Sequence, residues 1–111
     1  MITFALAPVS SASSETNHVF LTRPGVVADA YVFPSVACYV LGFDSTTVPT
    51  DGTVSPTWVW AATANQANSL TYAGMPEARV GKGCVFCVST TAPFTKTTPV
   101  SGTYFFSARV E

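Results

Sequence analysis

The chain has 111 residues and a mass of 11.7 kDa, which is enough for one domain. Charged residues make up only 10% of it, against about 25% in an average soluble domain, and the net charge is −1. This composition argues against a coiled coil, a disordered chain and an electrostatic surface for nucleic acid. The polar residues are instead mostly hydroxyl-bearing, with 16 threonines and 11 serines.

No apolar run approaches the ~20 residues of a membrane-spanning helix, so we expect no membrane insertion. The start of the chain contains Ala5-Leu6-Ala7, which resembles a cleavage site, but it lacks the positive charge of a signal peptide. The three cysteines, an odd number, argue against a closed set of disulfides. We therefore expect reduced, buried thiols and production in a reducing cytoplasm.

Helix signals are nearly absent, because no segment of eleven or more residues repeats apolar positions at helical spacing without an internal Pro or Gly. Segments of strand character recur instead every eight to twelve residues, which is typical of a sandwich or barrel. In chain order they cover residues 2–7, 18–23, 27–33, 36–41, 57–61, 69–73, 84–88 and 103–110. We predict a single all-β domain over residues 1–111 with about eight short strands.

The last two segments have the clearest patterns. Thr103–Val110 alternates as a half-buried strand does, with Tyr104, Phe106, Ala108 and Val110 on one face. Cys84–Val88 is apolar throughout, which predicts a strand buried on both faces. Because strand residues three apart point to opposite faces, the sulfurs of Cys84 and Cys87 should diverge, which favours core thiols over a redox pair.

Other candidate chemistry is sparse. A zinc site would have to add Cys38 and His18 to those two thiols, and no second Cys-x-x-Cys supports it. His18 is the only histidine, and no serine has His or Asp at the spacing of a known nucleophile motif. Gly81-Lys82-Gly83 is too short for a phosphate-binding loop and predicts a turn. We therefore expect a non-enzymatic protein without metal or cofactor.

Three connections are long and rich in Ser, Thr and Pro. Residues 8–17 are expected to form a flexible arm that folds back or reaches a neighbour, and residues 43–56 and 90–102 to form long loops. Phe43 and Phe94 lie in these polar loops, where exposing them gives a free monomer nothing, so both are candidate partner contacts. Substituting both by Ser is expected to weaken partner binding and leave the fold intact.

Trp58 and Trp60 share one face of a predicted strand. Two tryptophans side by side form either a ridge in the core or an exposed platform for a sugar or a protein, and the core interpretation is favoured. Both residues remain candidate partner contacts.

In length, β-rich sequence and weakly charged, hydroxyl-rich composition, the whole chain resembles the small capsid decoration proteins of tailed phages, especially the stapling protein of epsilon-fifteen-type podophages. The resemblance implies an antiparallel, jelly-roll-like β-sandwich on the outer capsid surface of the virion. It would act as a homodimer that contacts the major capsid protein and stabilises the shell. The alternative is a small carbohydrate-binding β-sandwich module, supported by the two tryptophans.

Overall fold

The computed structural model describes residues 7–72, 77–91 and 93–111. These residues are all-β: they contain no helix, hence none that could cross a membrane, and they form eleven short strands with antiparallel pairing. The strands are β1 (Ala7–Ser10), β2 (Asn17–Leu21), β3 (Gly25–Pro34), β4 (Cys38–Phe43), β5 (Gly52–Thr53), β6 (Trp58–Ala62), β7 (Asn68–Leu70), β8 (Glu77–Val80), β9 (Cys84–Ser89), β10 (Thr95–Lys96) and β11 (Tyr104–Val110). The predicted all-β class is confirmed. The strands outnumber the eight expected, and residues 2–6 of the first predicted strand lie outside the described ranges.

Two main sheets are present. Sheet A has the order β1-β11-β3-β7, with β8 also paired to β3, and sheet B has the order β2-β9-β4-β6. The pairings are nested about the connection between β4 and β6, because β3 pairs with β7 and β8, β2 with β9, and β1 with β11. The outermost pair therefore joins the first and last strands of the described chain.

The main hydrophobic core receives side chains from both sheets. Strand β11 buries Tyr104, Phe106, Ala108 and Val110 and exposes Phe105 and Arg109, as its alternating pattern predicts. Strand β9 is buried throughout. Cys84 belongs to the main core, whereas Cys87 belongs to a second cluster. The predicted divergence of these two sulfurs is therefore confirmed.

A β-bulge in β3 decides which of its side chains face the core. Ser107 lies opposite Tyr31, but Arg109 lies opposite Ala28, so β3 carries an extra residue at this point. Asp29 has a φ of 50°, which is rare outside glycine, and its Oδ2 accepts hydrogen bonds from Arg109 Nε at 2.9 Å and Nη2 at 2.5 Å. Val27 before the bulge and Val32 after it both point inward.

The segment 8–17, expected to be an arm that folds back or reaches a neighbour, lies along β11. Residues 7–10 form β1, which pairs with β11, and the following serines continue along the same strand. Ser11 Oγ accepts a hydrogen bond from the Phe106 amide at 2.9 Å, and Ser14 Oγ accepts one from the Tyr104 amide at 3.0 Å. These two hydroxyl oxygens accept bonds from β11 amides that a backbone carbonyl of a neighbouring strand would otherwise accept. The segment therefore folds back onto its own sheet.

The two long loops, 43–56 and 90–102, meet each other. Each contributes a two-residue strand, and β5 pairs with β10. Ser89 Oγ donates to the Thr95 carbonyl oxygen at 2.6 Å, which ties this pair to the end of β9. A second cluster is formed by the buried sheet B residues Leu41, Phe43, Val85 and Cys87, which are separate from the main core. Tyr39 of β4 and Val54 of the 43–56 loop pack against them.

Candidate interaction surface

Trp58 and Trp60 are half-buried and pack against the main core. Their rings lie 6.4 Å apart, and Tyr72 meets them edge-on at 5.1 and 5.6 Å. Trp60 Nε1 donates a hydrogen bond to the Thr71 carbonyl oxygen at 2.7 Å. A Cβ on Gly42 would approach Trp58 Cε3 to 2.8 Å, so a glycine is needed beneath the rings. The pair is therefore a ridge that closes the core rather than an open platform.

Phe43 is not an exposed anchor. It is the last residue of β4, only 8% of its surface is exposed, and it belongs to the second cluster with Val85 and Cys87. The prediction was wrong because the polar segment after Phe43 folds over sheet B, a long-range contact that the local sequence does not reveal. Phe94, in contrast, is 61% exposed.

The loop that carries Phe94 is held in place by a buried cation. Lys96 is 3% exposed, and its Nζ donates hydrogen bonds to Asp51 Oδ1 at 2.8 Å and to Thr98 Oγ1 at 3.0 Å. The hydrogen bond from Lys96, followed by those from Thr98, holds the pKa of the Asp51 carboxyl well below its usual range. Phe94 is thus displayed beside a fixed β5–β10 pair.

The outward face of sheet A carries a cluster of exposed aromatic rings, which we call the aromatic patch: Tyr31, Phe33 and Phe105. Phe33 and Phe105 are cross-strand partners, and the three rings remain 42%, 48% and 41% exposed. They line a hollow of about 460 Å³ together with Ser10, Ser11, Ala67, Phe106 and Ser107. Rings of this size exposed together on one sheet face are typical of a contact surface.

Hydroxyl groups border the aromatic patch on neighbouring strands. Ser10 lies opposite Ser107, Ser107 lies opposite Tyr31, and Tyr31 lies opposite Ser69, so one row crosses four strands. Arg109, two residues beyond Ser107 on β11, pairs with Asp29. The patch is therefore apolar at its centre and polar but uncharged along one side.

The thiols and the histidine sit in structural positions. Burial raises the pKa of Cys38 and Cys87 to about 11 and that of Cys84 to about 12, which keeps all three protonated at neutral pH. His18 Nδ1 contacts Glu15 Oε1, and its ring meets Phe20 edge-on at 4.4 Å. Within the described ranges, no three His, Cys, Asp or Glu side chains come together as a metal-binding group.

The Gly81-Lys82-Gly83 turn binds an anionic group of the protein itself. Asp44 Oδ2 accepts a hydrogen bond from the Gly81 amide at 3.0 Å, and Oδ1 accepts from Lys82 at 2.8 Å and Gly83 at 3.2 Å. These backbone bonds, the Gly81 bond first, lower the pKa of the Asp44 carboxyl. The three amides form an anion-binding nest whose ligand is the Asp44 carboxylate.

The chain matches no known protein-family model, no curated protein and no solved structure. Its function is therefore inferred from its own surfaces. Of the four predicted contact residues, Phe94 alone lies clearly in solvent, and none of the four belongs to the aromatic patch.

The sequence pattern did not predict the aromatic patch because of the β-bulge at Asp29 in β3. With Val27 pointing inward, simple alternation would also place Tyr31 and Phe33 inward, and the extra residue at Asp29 reverses this. One signal was present in the sequence: Phe105 lies among Thr103, Ser107 and Arg109 on the polar face of an alternating strand.

Proposed function

We propose that this chain is a non-enzymatic structural protein of a virus particle, which binds the outer capsid surface and stabilises the shell. The observation that carries the proposal is the aromatic patch, an exposed apolar surface on the outward face of sheet A. The proposed partner is the major capsid protein, and the proposed location is the virion surface after synthesis in the host cytoplasm.

The strand pairing supports a jelly-roll-like β-sandwich as the finer description of the fold. In such a fold an antiparallel ribbon of paired strands wraps into two sheets. The nested pairs β4–β6, β3 with β7 and β8, β2–β9 and β1–β11 fit this arrangement. Jelly rolls occur in viral capsid proteins and in lectins, so the fold agrees with a capsid role and with a sugar-binding role and does not choose between them.

The energetics of the patch suit a protein contact. Burying the rest of each ring removes roughly 60–120 Å² from water, which contributes about 1.5–3 kcal/mol per ring. Three neighbouring rings of this kind form the apolar centre of an interface, and the serines around them form a polar rim. The low charge of the chain also supports a protein contact, since a surface covered by a partner needs little charge for solubility.

Cosedimentation with capsids tests the proposal. The double substitution Phe33→Ser with Phe105→Ser should reduce the bound fraction at least tenfold, because two rings of the patch are lost. Val19→Ser is the matched control, since Val19 is 39% exposed on a strand of sheet B and lies outside the patch. Unchanged occupancy of the double variant on capsids would contradict the proposal.

A carbohydrate-binding module is the second candidate, and the hydroxyl row beside Tyr31 favours it. Aromatic rings stack on the apolar faces of sugars, and neighbouring hydroxyls such as those of Ser69 and Ser107 hydrogen-bond to sugar hydroxyls. Since the tryptophans close the core, their fluorescence is a poor reporter of binding. Amide NMR shifts of Tyr31, Ser69 and Ser107 upon titration with oligosaccharides are the suitable measurement, and no shift at millimolar sugar would eliminate this candidate.

A further inference from the structure

The edge strands of the two sheets differ in how they are protected against pairing with another chain. Natural sheets protect their edges with proline, charged side chains, bulges or very short strands. In sheet A, β1 contains Pro8, β7 has three residues, and β8 exposes Glu77 and Arg79. In sheet B, β2 has a register irregularity between Val19 and Leu21.

Strand β6, at the other edge of sheet B, has none of these features. Its five residues pair with β4 in continuous register, and none of them is charged or proline. No strand among the described residues pairs with its other edge. Val59 and Ala61 face outward and are exposed, whereas Trp58 and Trp60 hold the strand against the core. The edge is therefore free of bulges, uncharged and packed against the core through its two tryptophans.

We propose that β6 pairs with β6 of a second copy of this chain, antiparallel about a two-fold axis. The two copies would then join their B sheets into one continuous sheet of eight strands. Unpaired backbone donors and acceptors alternate along a strand edge, and an identical strand running in the opposite direction satisfies them reciprocally.

The side chains of β6 suit this symmetric pairing. If Trp60 lies opposite its copy, all five residues are paired and each Val59 lies opposite Ala61 of the other copy. Both side chains are small and apolar, so pairing brings no like charges together, which would be destabilising. The aromatic patch lies on the outward face of sheet A and includes no residue of β6. The inference thus stands on a different surface from the proposed function and does not depend on it.

The pairing is expected to be weak. A standard interface buries about 800 Å² per partner, and five paired residues bury less than that. We therefore expect a dissociation constant in the micromolar range. Sedimentation equilibrium of the full chain over about 1–500 µM, without particles or sugars, is therefore the measurement. A reversible monomer–dimer equilibrium is expected.

Two lysine substitutions identify the edge involved. Val59→Lys places a charge on β6 and should raise the dissociation constant at least tenfold. Val19→Lys is the matched control, because Val19 is 39% exposed and Val59 37% exposed on opposite edges of the same sheet. Circular dichroism checks that both variants fold, and Ala61→Lys replaces Val59→Lys if that variant does not.

Three outcomes would overturn the proposal: a wild-type chain that stays monomeric at the highest concentration, an equal effect of Val19→Lys, or no effect of either β6 substitution. Amide hydrogen exchange adds an independent readout. Protection in β6 should increase with protein concentration while protection in β2 stays constant. Capsid binding by the Phe33→Ser, Phe105→Ser variant is independent of self-association through β6. Either proposal can therefore be contradicted while the other stands.

Discussion

Phe43 is buried and Phe94 is exposed, although both residues lie next to polar segments of the sequence. Phe43→Ala should lower the free energy of unfolding by about 3–5 kcal/mol, because it leaves a cavity in the second cluster. Phe94→Ala should change it by no more than about 0.5 kcal/mol. Urea denaturation measures both. Equal effects of the two substitutions would mean that the second cluster does not contribute to stability.

The thiols provide another test on the scale of single residues. Burial raises the pKa of Cys38 and Cys87 to about 11 and that of Cys84 to about 12. At pH 8 the thiolate is then scarce, so Ellman's reagent should react roughly 100-fold more slowly with the folded chain than with the chain in urea. A cysteine that reacts at the unfolded rate would show that its strand opens readily.

On the scale of strands, the bulge at Asp29 determines the outward face of sheet A. Asp29→Gly and Asp29→Val both remove the hydrogen bonds to Arg109, so the loss of those bonds cancels when the two variants are compared. A β-branched residue at a φ of 50° is strained by about 1–3 kcal/mol, and glycine is not. Asp29→Val should therefore be the less stable variant by thermal denaturation. Equal melting temperatures would contradict this account of the bulge.

The turn between β8 and β9 gives a prediction about pH. The pKa of Asp44 is lowered by the backbone bonds, so its carboxylate stabilises the fold above the unfolded value of about 3.9 and loses that contribution as the pH falls through the folded value. The stability difference between wild type and Asp44→Asn should accordingly be largest near pH 7 and shrink in acid. A difference that stays constant down to the acid transition would contradict this role of Asp44.

Local patterns predicted the strands whose environment is uniform along their length. The alternation of 103–110 and the apolar run 84–88 match β11 and β9 within a residue or so at each end, because period-two burial is visible in the side chains themselves. Neither the reversal at Asp29 nor the covering of Phe43 could be predicted, since each depends on a partner strand or loop distant in sequence. The aromatic patch depends on the first of these.

At the scale of the whole molecule, the two sheets share one core while their other faces differ. Sheet A leaves an aromatic patch open, and sheet B carries a second cluster, separate from the main core, beside the two long loops. A hydroxyl-rich, weakly charged chain thus exposes three aromatic rings together on one sheet face. If the proposed function holds, combining Phe33→Ser with Phe105→Ser should reduce capsid occupancy and lower the melting temperature by only a few degrees, because both rings are partly exposed and lie outside the buried core.

The nested pairing also determines the order in which the strands can pair during synthesis. Strands β4 and β6 are close in sequence and can pair early, whereas β1 must wait for β11, which is synthesised about a hundred residues later. Until β11 leaves the ribosome, β1 and the inner edge of β3 have no partner, and the apolar side chains of sheet A stay open to water. A ribosome-stalled chain lacking residues 103–111 should therefore be cut rapidly by protease, and the complete chain should resist. Strand β11, the last to be synthesised, thus completes sheet A by pairing with both β1 and β3.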